Sequence, residues 1–148
     1  MSQKADNLFE DIFDIKDIDK GGKRFDRVSR VTGTSENYEM ELILDVNTSI
    51  YPVEVSNKFA VALTYTLNLD GTPDSGVFDP TPKKTKADKY EYVMYGKVFK
   101  FAEEKSPTAK ISVFISFGGL LMMIKGDPRN MQGIDLDSRV YLLMKKVS

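Results

Sequence analysis

The sequence predicts an all-β domain, a barrel or sandwich of about eight antiparallel strands, and three observations carry that prediction. Apolar and polar residues alternate in short segments, the period of a half-buried strand. Turn residues separate those segments and no helical pattern intervenes between them, which is the pattern of a sandwich or barrel. The most hydrophobic stretch, Tyr90 to Lys125, is aromatic and β-branched, which suits a pleated sheet better than a helix. The chain has 148 residues, 41% of them hydrophobic and 29% charged, so a single domain over 1–148 with a sizeable core is expected.

Taken in order, a first strand begins near Phe9, where Phe13 and Ile15 alternate, although Leu8, Phe9, Ile12 and Phe13 also fit helical spacing. Asp17 to Gly22 begins like a calcium loop, but the fifth position is Gly21 and the twelfth is Val28 rather than glutamate, so it reads as a turn. Phe25, Val28 and Val31 recur every third residue among Arg24, Arg27 and Arg30, as in a short strand with a bulge or irregular pairing. The arginines suit a solvated face or an interface equally. Tyr38 to Val46 is the cleanest alternation, with Met40, Leu42, Leu44 and Val46 inward and Glu39, Glu41 and Asp45 on the wet face. Phe59 to Leu67 alternates large residues with Ala60, Ala62 and Thr64, and a face that small admits a close neighbour.

Periodicity vanishes from about 68 to 88, where Pro73, Pro80, Pro82, Gly71 and Gly76 and the basic cluster Lys83, Lys84 and Lys86 predict one long mobile loop. Tyr90 to Phe101 reads as a long central strand. In the next run Ile111, Val113, Ile115 and Phe117 share a face, and Gly118 and Gly119 precede Leu120. The glycines are expected to bend the strand so that it passes from one sheet to another. Gly126 to Asn130 is a turn and Arg139 to Lys145 a closing strand, apolar on both faces. Phe59, Phe99, Phe101, Phe114 and Phe117 are expected to fill the interior, which disfavours a barrel that holds a small apolar ligand.

Composition removes most chemistry. There is no cysteine, hence no disulfide, thiolate metal site or thiol nucleophile, and no histidine, hence neither the usual general base nor the usual metal ligand. No catalytic, cofactor-binding or metal site is expected. Asp135 and Asp137 would share one strand face, but carboxylates flanking an apolar strand ordinarily serve solubility. Asn47-Thr48-Ser49 fits the glycosylation pattern, and without an apolar leader it is discarded. A net charge of −1 gives no global attraction to nucleic acid, and no apolar run is long enough for a membrane span. Lys83, Lys84 and Lys86 beside Tyr90, Tyr92 and Tyr95 offer a weak single-strand contact, since such sites combine cations with stacking aromatics.

Six segments taken together strongly resemble the small barrel subunit common to nuclear RNA polymerases I, II and III. They are Leu8 to Phe13, Phe25 to Arg30, Leu44 to Asn47, Tyr90 to Lys97, Ser116 to Met122 and Tyr141 to Met144, in this order and over nearly the whole chain. The resemblance implies a closed barrel of the oligonucleotide-binding (OB) type, with the loop near 68–88 as its mobile segment. It also implies a non-catalytic nuclear subunit, nucleolus included, that docks on the largest subunit and meets DNA and RNA through the complex. Tyr92, Met94, Tyr95, Gly96, Lys97, Gly118, Gly119 and Leu120 lie in its two longest motifs and are the candidate docking or barrel-shaping residues. A free single-stranded nucleic-acid binder is the alternative.

Overall fold

The computed structural model describes residues 7–20, 22, 26–69, 84–105 and 108–147. Eight strands form: β1 Phe9–Ile18, β2 Val28–Ser35, β3 Glu41–Asn47, β4 Lys58–Thr64, β5 Tyr92–Glu104, β6 Lys110–Phe117, β7 Leu120–Gly126 and β8 Arg139–Lys146. They close into a barrel in the order β1-β2-β3-β7-β6-β5-β8-β4, with every neighbouring pair antiparallel. Period-two alternation sends one side of each strand inward. Phe13, Phe59, Leu42, Ile115, Ile124 and Leu142, each on a different strand, are fully buried and fill the interior. Among the described residues no helix is long and apolar enough to cross a membrane.

Several boundaries differ from the sequence reading for identifiable reasons. β3 starts at Glu41 rather than Tyr38, because Glu39 adopts a left-handed φ of 55° and the preceding loop closes on the Asp11 carboxylate. β4 stops at Thr64, after which the Tyr65 hydroxyl donates to the Gly133 carbonyl and accepts from the Asp135 amide at 2.9 Å. Asp135 and Asp137 therefore sit in a turn and not on a strand face. The irregular pairing expected near Phe25 lies instead between β1 and β2 at Ile15/Asp17; Phe25 itself falls outside the described residues.

The Gly118-Gly119 step is not a bend within one strand. It is a two-residue hairpin turn, with Phe117 paired to Leu120 and φ values of 64° and 102°. Two successive positive φ angles make the tight turn whose twist matches antiparallel strands, and glycine reaches them without a Cβ penalty.

Phe99 and Phe114 are not in the interior either. Phe99 follows the outward phase of Tyr95 and Lys97, and Phe114 lies on the face opposite the inward Val113 and Ile115. A bulge in β5 between Val98 and Lys100 turns Lys100 outward as well and brings Phe101 against the core. One extra residue shifts the phase of everything beyond it.

Most of the long loop, 70–83, lies outside the described residues. Its far end is ordered: Thr85 caps a 3-10 helix, Lys86–Lys89, by accepting from the Ala87 amide, and Asp88 reaches back to the Thr85 amide. This helix lies on the outer side of β4, where the Lys86 ammonium donates to Thr64 Oγ1 at 2.9 Å and Asn7 Oδ1 at 3.2 Å. The small face of β4 thus receives the close neighbour that its size permits.

Candidate docking surface

The outer face of the barrel is polar over much of its extent, as one-sided antiparallel strands dictate. Across β3, β7, β6 and β5 it is not. Ile43 pairs with Met123, Met123 with Phe114, and Phe114 with Lys100 beside the bulged Phe99, so one row across four strands is almost wholly apolar. Leu121, one step along β7, is 41% exposed and Phe99 is 46% exposed. Together these side chains line a groove of about 310 Å³. The Phe99 and Phe114 rings meet at 6.2 Å between centroids, and the Lys100 ammonium lies 5.3 Å from the Phe114 centroid.

Charged side chains hold the rim in place. Arg30 on β2 makes two parallel hydrogen bonds to Asp45 on β3, Nε to Oδ1 at 2.7 Å and Nη2 to Oδ2 at 3.0 Å. Asp45 Oδ2 also accepts from the Leu121 amide at 2.9 Å, which fixes the start of β7. The carboxylate lies outward, as the alternation requires, but these partners leave it buried. Its hydrogen bond raises the pKa of Arg30 above the ordinary value for arginine. On the opposite rim Lys125 pairs with Glu104 at 2.5 Å, and that hydrogen bond raises the lysine's pKa.

The candidate residues from the sequence divide into groups. Tyr92 is buried, stacks on Tyr51 at 5.0 Å and accepts from the Asn47 amide through its hydroxyl. Met94 is half-buried against the core. Gly96 is buried where β5 passes β6 so closely that a Cβ would collide with the Ser116 carbonyl oxygen and lie 2.6 Å from Phe117 Cδ1. These three sit within the barrel wall or core. Tyr95 is 51% exposed and tilts against Tyr141, with centroids at 4.6 Å. Lys97 is exposed, with Nζ 3.9 Å from Asp137 Oδ1. Gly118 and Gly119 are exposed in the hairpin turn, and Leu120 is half-buried.

Register brings part of this second group to the groove: Lys97 pairs with Ser116 and Ser116 with Leu121, one row from Phe114 and Met123. Of the basic cluster, Lys84 is exposed, Lys86 is buried against Thr64 and Asn7, and Lys83 lies outside the described residues. The groove residues Ile43, Phe99, Phe114, Leu121 and Met123 were not among the docking candidates read from the sequence, where Phe99 and Phe114 were placed in the interior. The available signal was Ile43, the one apolar residue on the wet face of its strand.

Among the described residues no three His, Cys, Asp or Glu side chains converge as a metal site would require. A shallow apolar groove with a fixed charged rim is suited to holding another protein's side chains.

Comparison with known proteins gives one consistent answer. The family profile described as RNA polymerase Rpb8 matches residues 10–146. The chain is 56% identical over 140 residues to the Dictyostelium discoideum "DNA-directed RNA polymerases I, II, and III subunit rpabc3", covering 94% of this chain and 96% of that one. It is 52% identical over 140 residues to "DNA-directed RNA polymerases II, IV and V subunit 8B" of Arabidopsis thaliana, covering 95% and 96%. With the Saccharomyces cerevisiae subunit RPABC3 it shares 34% identity over 150 residues, covering 96% and 99%. A match of this length, on a closed eight-stranded barrel, places the chain in the RNA polymerase Rpb8 family.

Proposed function

We propose that this chain is a non-catalytic structural subunit of eukaryotic DNA-directed RNA polymerases, shared among the nuclear enzymes and docked on the largest subunit. The observation that carries this reading is the extent of the likeness. Relatives named as subunits of several polymerases align with 94–95% of this chain and 96% of their own length, so barrel and connections correspond throughout. The outer apolar face supports it, because a closed barrel offers a partner mainly its outward side chains. On this reading the chain resides in the nucleus and the nucleolus, and it meets DNA and RNA through the complex, with a net charge of −1 that favours a protein partner.

Isolation of the tagged full-length chain from its own cells tests the proposal. Co-migration with the largest polymerase subunit in a polymerase-sized particle is the expected result. Recovery of the chain only as a free small protein would overturn it.

A further inference from the structure

We propose that the groove between Ile43, Phe99, Phe114, Leu121 and Met123 receives a segment of a neighbouring polymerase subunit that presents a large apolar side chain next to a carboxylate. The inference rests on the reading of the chain as a polymerase subunit and goes further by assigning a face and the chemistry of its occupant.

The placement of Phe99 is the first argument. This residue keeps the outward phase of Val93, Tyr95 and Lys97 and stands in water against Phe114, and the bulge at Val98/Lys100 turns Lys100 out beside it. Bulges re-aim side chains, here that of Lys100, and an exposed aromatic beside Ile43, Phe114, Leu121 and Met123 forms a contiguous patch of the kind that marks a binding surface.

Size and closure are the second argument. About 310 Å³ lies at the small end of the roughly 300–1,000 Å³ of ligand pockets, which suits one or two anchoring side chains. The barrel is closed and the groove lies on its outer face over β3, β7 and β6, each hydrogen-bonded to two neighbours, so the occupant enters it through its side chains.

Charge is the third argument and selects among occupants. Arg30 and Lys125 at the rim are matched by Asp45 and Glu104. Lys100 is not: its ammonium stands over the Phe114 ring, and among the described residues no carboxylate lies within ion-pairing distance of it. The unmatched charge at the groove is therefore positive, and the complementary group is a carboxylate on the partner. A second copy of this chain fits poorly, since a two-fold contact opposes like patches and would bring the two Lys100 ammonium groups together.

Two full-length variants test this in cells that assemble the polymerase: the double variant Phe99→Thr with Leu121→Thr, which keeps residues suited to strands, and Lys100→Glu. The measurement is the fraction of soluble chain that co-migrates with the largest subunit, together with the melting temperature of each purified chain. The expected result is a loss of about ten-fold or more for the double variant, the effect of removing a central anchor. Lys100→Glu should lose roughly three- to ten-fold, as expected for a reversed charge beside an anchor. Retention of both variants at the wild-type level would overturn the groove while leaving the polymerase reading intact. Failure of the wild-type chain to co-migrate would instead overturn that reading, and this inference with it. Should the double variant melt far below the wild type, the exposed Lys100→Glu decides alone. An isolated wild-type chain that sediments as a dimer, with the double variant a monomer, would overturn the proposal in favour of self-association.

Discussion

Asp11 on β1 is 3% exposed, yet both of its oxygens are occupied. Oδ1 accepts from the Ile12 amide at 2.7 Å and from the Asn37 side chain at 2.8 Å, and Oδ2 accepts from the Tyr38 amide at 3.1 Å. One carboxylate thereby holds the β2–β3 connection against the first strand. In Asp11→Ala those donors lose their acceptor away from bulk water, with an expected loss of about 1–3 kcal/mol in urea unfolding. A change within about 0.5 kcal/mol, typical of surface substitutions, would show that the loop is held by other means. This contact was not legible in the sequence, because apolar alternation marks Phe9, Phe13 and Ile15 but says nothing about an acid in the same phase whose partners lie in a distant loop. Lys86 illustrates the same limit: a lysine in a basic, proline-rich stretch reads as solvated until the fold brings Thr64 and Asn7 to it.

The β6–β7 hairpin shows how an element can be read correctly in content and wrongly in shape. Ile111 to Phe117 and the apolar run after Leu120 are both strands, but two glycines between alternating segments specify a two-residue turn as readily as a kink. The two accounts predict different mutational behaviour. In the turn nothing lies within 4 Å of a Cβ added at either glycine, so the cost of a substitution there is one of backbone conformation. Gly118→Asn, which creates a favoured Asn-Gly turn, should leave stability within about 0.5 kcal/mol of wild type, whereas Gly118→Val should cost roughly 1–2 kcal/mol because φ is 64°. Equal loss from both in thermal unfolding would contradict the turn. β5 marks the opposite case. The sequence reads as a strand from Tyr90 to Phe101, but the bulge carries no glycine or proline to announce it, and so Phe99 and Phe101 were given one phase, whereas only Phe101 packs against the core.

For the molecule as a whole, the all-β class and the number of strands were legible because most strands carry their own period-two signal and turn residues bound the others. The order around the barrel was not, since it depends on which strands meet across long separations. One such meeting is electrostatic. Glu91, just before β5, accepts from the Lys146 amide on β8 at 3.0 Å and from the Tyr51 hydroxyl at 2.6 Å, and these bonds hold its pKa below the ordinary carboxylate value. Asp127 is held at about 2 by the Arg129 guanidinium and amide. Both values are lowered on folding, so their stabilisation is complete above the ordinary carboxylate pKa of about 4 and disappears as pH falls through the folded values. Urea midpoints should therefore drop between about pH 4 and pH 2, and Glu91→Gln with Asp127→Asn should flatten that drop; identical profiles would show that neither carboxylate is engaged. The topology also sets a schedule for synthesis. β8, the last strand, lies between β4 and β5 and pairs with both, so the barrel stays open until Lys146 has emerged from the ribosome. At roughly 5–20 residues per second, a nascent chain carries two bare strand edges for seconds while the wall is one stave short. During that interval the edges that the finished subunit hides from every partner are open to any passing β-strand.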